Sequence, residues 1–417
     1  MLSTGTSYGY DKLIVATGAS AVKLPLPGVD LNGVFPMRAP EDAITMRDYL
    51  EANGVKKAVV IGGGFIGLEL AENLFDRGIS VTVVEVASQI LSGVLDGEMA
   101  GYVQRHLQQK GIRVLTGTKA TALVGDGKVE GVQTDAGLLP CGAVVVSAGI
   151  RPNTAFLEGT GIQMEKGAIV VDECLATSVA DIYAAGDCAL VKNRLTGKAQ
   201  YSPMGSSANL EGRTLAQNLN GENKTYPGVL GTGVVKLPGL NVGRTGLTES
   251  AAKEAGYDVE TVVAVTDDKA HYYPGAAFFI TKLLADRNTH QLLGVQVLGP
   301  GAVDKMVDIA VVGLSMGLKL EDFEKKKCYQ MLQGRNTPCP FCNNAKLVKE
   351  SFITWEYENP YLKKYFIVKD KLVEWNGRPV RMEIAVDVGN HLIGDYTTTD
   401  KYHMETVMLE SLRTLNS

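Results

Sequence analysis

Short, wholly apolar runs alternate with amphipathic stretches through the first part of this chain, and the alternation predicts its elements. Ala58-Val59-Val60-Ile61 has no polar position, as expected of a strand buried on both faces of a parallel sheet. It runs into Gly62-Gly63-Gly64-Phe65-Ile66-Gly67, after which Leu68 to Arg77 reads as a helix stopped by Gly78. A second apolar strand, Val81 to Val84, ends at Glu85. Asp96 to Lys110 then reads as a helix and Ile112 to Leu115 as a strand. Short strands follow around the turns Gly125-Asp126-Gly127 and Asp135-Ala136-Gly137, and Ala143 to Ser147 is another buried strand. Strand, helix and strand in this order predict an α/β unit with a parallel sheet.

The glycine turn carries the chemistry. It fits G-x-G-x-x-G between a strand and a helix, with an acid at the end of the next strand. Gly62 permits a tight turn, Gly64 lets backbone approach a pyrophosphate, and Gly67 allows close packing of helix on strand. Unpaired N–H groups at the helix start, around Phe65 and Ile66, attract phosphate. Glu85 is placed to accept hydrogen bonds from a ribose diol, and Val86-Ala87-Ser88-Gln89 supplies no arginine for a 2′-phosphate. The expected dinucleotide is therefore NADH.

Composition adds a boundary. Of 47 glycines only four follow Phe323, whereas 11 of the 28 aromatic residues do, including Trp355 and Trp375. Two stretches of different character are expected, meeting near that point. A net charge of −5 gives no reason to expect a nucleic-acid surface, and no apolar run is long enough to span a membrane. No secretory signal pattern opens the sequence and six cysteines are too few for a disulfide scaffold, so a cytoplasmic setting is expected.

Two further segments frame the unit: Tyr10 to Ala19, containing Ala16-Thr17-Gly18-Ala19, and Asp181-Ile182-Tyr183-Ala184-Ala185-Gly186-Asp187. With the glycine turn and Gly149-Ile150-Arg151-Pro152-Asn153, the ordered set resembles the FAD-dependent pyridine nucleotide–disulfide oxidoreductases. The NADH oxidase and coenzyme A–disulfide reductase branch is the most similar. The resemblance implies a three-layer Rossmann-like FAD/NAD(P)-binding fold with an α+β dimerisation domain, hence a homodimer using FAD and NADH with a small-molecule electron acceptor. It implies that Asp187 binds the ribityl chain, with Gly186 giving close approach, and that Thr17, Gly18 and Gly149 lie near the cofactors. Ser202 to Asn209, including Ser206 and Ala208, matches the start of a helix facing the flavin pyrimidine. Glu69 matches a position beside the nicotinamide, though it reads equally as a solvated helix glutamate. Tyr273 matches a tyrosine near the partner subunit's active site, and reads equally as sheet packing.

The family also carries an N-terminal glycine turn for the ADP half of FAD, followed by a redox cysteine. Here the first cysteine is Cys141, and Cys141, Cys174 and Cys188 read as structural, so an N-terminally truncated member is expected. The dimerisation domain is expected to be cut short after Phe323. Beyond it, Cys328 to Cys342 and the turn Glu374-Trp375-Asn376-Gly377-Arg378-Pro379 resemble a PAS-type sensor domain. Strands at Phe352 to Tyr357, Lys364 to Lys371 and Val380 to Val388, then a helix from Glu405 to Leu415, make it an α+β PAS-like fragment. Cys328, Cys339 and Cys342 fall short of the about four ligands a zinc site needs, so no metal is expected.

The expected division is 1–45 partial FAD-binding domain, 46–153 NAD-binding domain, 154–223 FAD-binding return segment, 224–323 dimerisation domain and 324–417 PAS-like fragment. The expected activity is hydride transfer from NADH to flavin and on to oxygen, a disulfide or a persulfide. Two alternatives stay open: a non-catalytic nucleotide-binding or sensory module, and a fusion of two gene fragments.

Overall fold

The structure is a computed structural model describing residues 5–268, 275–323, 346–359, 364–375, 378–387 and 406–407. The chain forms two compact units, 1–320 and 321–417. Tyr273, the lysine run at 325–327, and Cys328, Cys339 and Cys342 lie outside the described residues.

Unit one opens with β1 (Leu13–Val15) and β2 (Ala19–Ala21), then β3 (Val34–Pro36) and α1 (Pro40–Ala52). The glycine turn lies between β4 (Lys57–Ile61) and α2 (Phe65–Asp76), followed by β5 (Ser80–Val84), α3 (Gly97–Lys110) and β6 (Arg113–Leu115). A meander of β7 (Ala120–Val124), β8 (Gly131–Thr134) and β9 (Gly137–Pro140) precedes β10 (Ala143–Val146). β10 inserts between β3 and β4 in a five-stranded parallel sheet ordered β3-β10-β4-β5-β6.

That sheet explains its own apolar runs. On one face Val60, Val83 and Val145 pack with Leu50 of α1, Leu68 of α2 and Leu107 of α3. On the other, Val59, Ile61 and Val144 pack against Leu123 and Val132 of the meander. The three layers are thus helices, parallel sheet and antiparallel sheet, with both strand faces dry. α2 begins at Phe65, three residues earlier than the sequence predicts. Gly67 lies inside its first turn, where a Cβ would come within 2.0 Å of Gly62 O, and this close approach lets the helix start directly at the strand end.

β11 (Ile150–Pro152) pairs antiparallel with β2, so the chain leaves the parallel-sheet domain beside the strand by which it came in. The next segment forms β12 (Met164–Glu165), β13 (Ala168–Val170), β14 (Ile182–Ala184), β15 (Ala189–Lys192), β16 (Ala199–Tyr201) and α4 (Gly205–Leu219). β14 pairs parallel with β1, which joins this segment to the first residues of the chain. The remainder of the unit is β17 (Gly233–Leu237), β18 (Leu240–Gly246), α5 (Glu249–Glu254), β19 (Val259–Asp267), β20 (Phe278–Asp286), β21 (Leu292–Gly299) and α6 (Val303–Ser315). Its sheet is antiparallel, ordered β17-β18-β21-β20-β19, and α6 packs Val303, Val307 and Leu314 on it.

In unit two, β22 (Ile353–Asn359), β23 (Lys364–Trp375) and β24 (Arg378–Asp387) form an antiparallel meander close to the strands expected there. The expected helix is corrected where it is described. Thr406–Val407 is a short strand, β25, paired with Ala385 and Val386 of β24. Both residues are β-branched, which favours the pleated conformation over a helix.

Candidate functional site

The glycine turn forms one cradle from Gly62, Gly64, Phe65, Ile66, Gly67 and Glu85. Gly62 has φ +116°, and a Cβ there would stand 2.2 Å from Ser147 O at the end of β10. Gly64 caps α2 without a side-chain bond and is exposed, with nothing within 4 Å of where its Cβ would be. The space above the helix N-terminus is open, as backbone approach by an anion requires. Glu85 closes the cradle from β5: Oε2 accepts from Gly63 N at 2.7 Å and Oε1 from Ala87 N at 2.8 Å. The carboxylate is thereby fixed on rigid backbone with lone pairs to spare. Ile66 is exposed, whereas Phe65 packs toward β17, where a Cβ on Gly233 would meet its ring at 3.1 Å.

Glu69 lies exposed on the second turn of α2. Partial desolvation, and then the charge of Glu72, raise its carboxyl above the usual carboxylate range.

The two crossing chains are clasped together. Thr17 Oγ1 donates to Asn153 O at 2.8 Å, Asn153 Nδ2 donates to Thr17 O at 3.0 Å, and Asn153 N donates to Gly18 O at 2.9 Å. Gly18 and Gly149 both have positive φ, +65° and +98°, with open space at their Cβ positions. They mark the two bends between domains.

Gly186 and Asp187 follow β14 and lie beside α4. Gly186 N donates to Glu211 Oε2 at 2.7 Å, and a Cβ on Gly186 would touch Ala208 Cβ at 3.7 Å. Glu211 is buried on α4, and burial raises its carboxyl. Tyr226 beside it is pushed up to about 12, chiefly by burial and then by Glu211. Ser206 is exposed at the first turn of α4 and lines a cleft of about 180 Å³ with Arg194, Ser202, Ser207, Tyr226 and Thr232.

Sequence reading missed Arg38. Its Nη2 lies 2.5 Å from Asp187 Oδ2 and its Nε donates to Ala19 O at 2.9 Å, so it ties the Gly186-Asp187 bend to the clasped crossing strand. No local pattern marks it, because its partner is 149 residues away. Tyr201 supports the same bend by donating to Asp187 O at 2.8 Å. Cys141 and Cys188 are buried, Cys188 Sγ facing the carbonyls of Val15 and Ala185, and burial pushes the Cys141 thiol up to about 11. Cys174 is half-buried in a turn.

The pyridine nucleotide-disulphide oxidoreductase family model matches residues 2–206, and the model for that family's dimerisation domain matches residues 234–330. The chain is 37% identical over 317 residues to an NAD(P)H sulfur oxidoreductase (CoA-dependent) of Pyrococcus furiosus, covering 76% of this chain and 71% of that protein. This chain belongs to the pyridine nucleotide–disulphide oxidoreductase family. An NADH oxidase of Methanocaldococcus jannaschii is 37% identical over 322 residues, covering 77% and 71% of the two chains. Among solved structures, an NAD-dependent persulfide reductase from A. fulgidus superimposes with a TM-score of 0.73 at 38% identity, over 76% of this chain. This chain spans only 59% of that structure. Family membership accounts for the α/β nucleotide-binding fold and for the domain from β17 to α6 as a dimerisation domain.

Proposed function

We propose that unit one is the body of an FAD-linked, NADH-dependent oxidoreductase. The observation that carries this is the open position of Gly64 over the bare N-terminus of α2, with Glu85 fixed beside it. The residues present fit a dinucleotide: the amides around Phe65 and Ile66 would hold the pyrophosphate, Gly62 and Gly67 keep the turn tight, and Glu85 would accept from the ribose. Val86 and Ala87 offer no cation for a 2′-phosphate, which favours NADH over NADPH.

The flavin side also fits. Gly186 presents backbone with φ +79°, Asp187 has an acceptor carboxylate, and α4 directs its free N–H groups from Gly205 to Ser207. Asp187 would hold the ribityl chain and the α4 terminus with Ser206 and Ala208 would face the pyrimidine, favouring negative charge there. Thr17, Gly18 and Gly149 would border the cofactors at the crossings. FAD, when bound, supplies hydride acceptance from the nicotinamide and onward electron transfer. Glu69, whose carboxyl lies above the usual carboxylate range, would border the nicotinamide; Tyr273 is the residue proposed for the partner's site.

The acceptor is a small molecule. The relatives are named a sulfur oxidoreductase, an NADH oxidase and a persulfide reductase, and the substrate classes of this reading are a persulfide, a disulfide and oxygen. A homodimer is supported by the dimerisation-domain match and by exposed Val262, Val263, Val265 and Phe278 on β19 and β20. The division at 153, 223 and 323 belongs to this reading, as does a PAS-like second unit, supported by its antiparallel meander. The expected boundary at 45 falls inside α1 and moves back to the segment after β2, because β3 pairs with β10 of the parallel sheet. No helix among the described residues is long and apolar enough to cross a membrane.

The test is an absorption spectrum of purified protein after FAD is added, followed by NADH titration under anaerobic conditions. Bleaching of the flavin bands by NADH is expected. A protein that takes up FAD and leaves its spectrum unchanged with NADH would refute hydride transfer.

A further inference from the structure

Asp96 breaks a local rule. It is the N-cap of α3, yet its side chain makes no bond to that helix. Both its oxygens point instead at the dimerisation domain: Oδ1 accepts from Glu249 N at 3.0 Å, and Oδ2 accepts from Gln296 Nε2 at 2.7 Å. Gln296 completes the pair by accepting from Asp96 N at 2.9 Å. Lys282, fully buried on β20, stands at the centre, with Nζ 3.0 Å from Asp96 Oδ2 and 2.5 Å from Glu249 Oε1, and bonded to Glu98 as well. Burial pushes Lys282 down, but hydrogen bonds to Glu249, Glu98 and Asp96 outweigh it and hold the ammonium above the usual lysine range. One cation thus neutralises carboxylates from both domains.

The stretch that Asp96 ends leads directly back to the glycine turn. Gln89 Nε2 donates to Leu95 O at 2.9 Å, and the amides of Val94 and Leu95 donate to Leu91 O at 2.9 and 3.0 Å. Leu91, 1% exposed, is held at φ +51°, which a leucine rarely adopts. Its amide donates to Gly63 O at 2.8 Å, and Ile90 Cγ2 occupies space only 2.9 Å from where a Gly63 Cβ would be. The loop is therefore the floor of the nucleotide cradle, and its far end is bolted to the other domain.

We infer that Lys282 is a positioning residue for the pyridine nucleotide, acting through Asp96 and the 86–95 loop to let the dimerisation domain set the shape of the glycine turn. The inference rests on the NADH reading of that turn. Without Lys282 the carboxylates of Asp96, Glu98 and Glu249 lose the buried cation they share, which loosens the inter-domain anchor at the far end of the loop that carries Leu91.

The experiment measures NADH affinity and backbone amide exchange in the full chain. Lys282→Met is expected to weaken NADH binding about tenfold or more and to speed exchange at residues 88–95. Adding Asp96→Asn, which removes the buried unpaired carboxylate and keeps an oxygen acceptor, should recover part of the affinity. Leu314→Ala, in the core beneath α6, is the stability control: it should lower the melting temperature with NADH affinity within about twofold of wild type. Equal weakening by Leu314→Ala, or unchanged affinity and exchange in Lys282→Met, would overturn the inference. If Lys282→Met does not fold, Gln296→Leu takes its place with the same expected and overturning results. Gly64→Val separates the two claims. If it abolishes binding while Lys282→Met is neutral, the coupling alone is wrong; if it too binds normally, the nucleotide reading is wrong.

Discussion

Two glycines three residues apart, Gly64 and Gly67, should fail in opposite ways when each gains a methyl group. At Gly67 a Cβ would lie 2.0 Å from Gly62 O and 3.4 Å from Val60 Cγ1. An ordinary contact begins near 3.4 Å, so strand end and helix must separate by about 1.4 Å. Overpacking of that kind costs about 1–3 kcal/mol, a fall of roughly 3–10 °C in melting temperature for a domain of this class. At Gly64, φ is −82°, ψ is −174° and the Cβ position is empty, so Ala fits the fold. Its stability should stay within about 1 kcal/mol of wild type. That methyl group would, however, occupy the approach of the pyrophosphate. Charge-assisted hydrogen bonds contribute about 1.5–3 kcal/mol each, so losing one or two weakens NADH at least about tenfold. Calorimetric titration with NADH beside thermal melts of Gly64→Ala and Gly67→Ala reads both quantities. A Gly64→Ala protein that binds NADH normally, or a Gly67→Ala protein that melts with wild type, would refute the account of the cradle.

Other outcomes follow from the flavin side and the buried groups. Arg38→Met should lower the FAD retained on purification, measured by the ratio of flavin to protein absorbance, because it frees Asp187 from the crossing strand; full retention would remove Arg38 from the site. Glu211 has a carboxyl raised in the folded state, so it favours folding below its unfolded value and costs stability as pH rises through the raised one. Melting temperatures measured upward from about pH 4, below the ordinary glutamate value, should therefore fall less steeply in Glu211→Gln than in wild type, and parallel curves would count against a buried ionising group. Iodoacetamide at neutral pH, followed by peptide mass spectrometry, should label Cys174 before Cys141 and Cys188, since Cys141 is buried with its thiol pushed up to about 11. Faster labelling of Cys141 would contradict that.

The legible parts of this molecule are those whose cause lies within a few residues. An apolar strand, three glycines and an acid on the next strand can be read without knowing anything distant, and the cradle contains all of them. Arg38 and Lys282 could not be read, since their partners lie 149 and 184 residues away and an isolated Arg or Lys looks like ordinary solvated surface. Asp96 reads as a helix start and is one, but its side chain serves another domain. The sequence puts the start of α2 late because Gly67 resembles the end of a turn, whereas close approach to Gly62 places it in the first turn of the helix. In the tail, Thr406 and Val407 are β-branched residues inside a stretch that otherwise reads as helix, and pairing with β24 adds to their own preference for strand.

The pairing of β2 with β11 has a consequence for how such a protein can be rebuilt. Ala21 lies opposite Ile150, and Val22 N donates to Gly149 O at 3.0 Å, so the whole parallel-sheet domain hangs from a two-stranded stem. A two-residue turn is enough to join antiparallel strands at such a point. Everything between the stem strands is a cartridge: exchanging it for one of different nucleotide preference would leave the clasp of Thr17 with Asn153 in place, provided that the replacement keeps the bridge from Arg38 to Asp187. A replacement that reproduces only the glycine turn would sit loosely, because the original also presents Phe65 and Asp96 to the neighbouring domain.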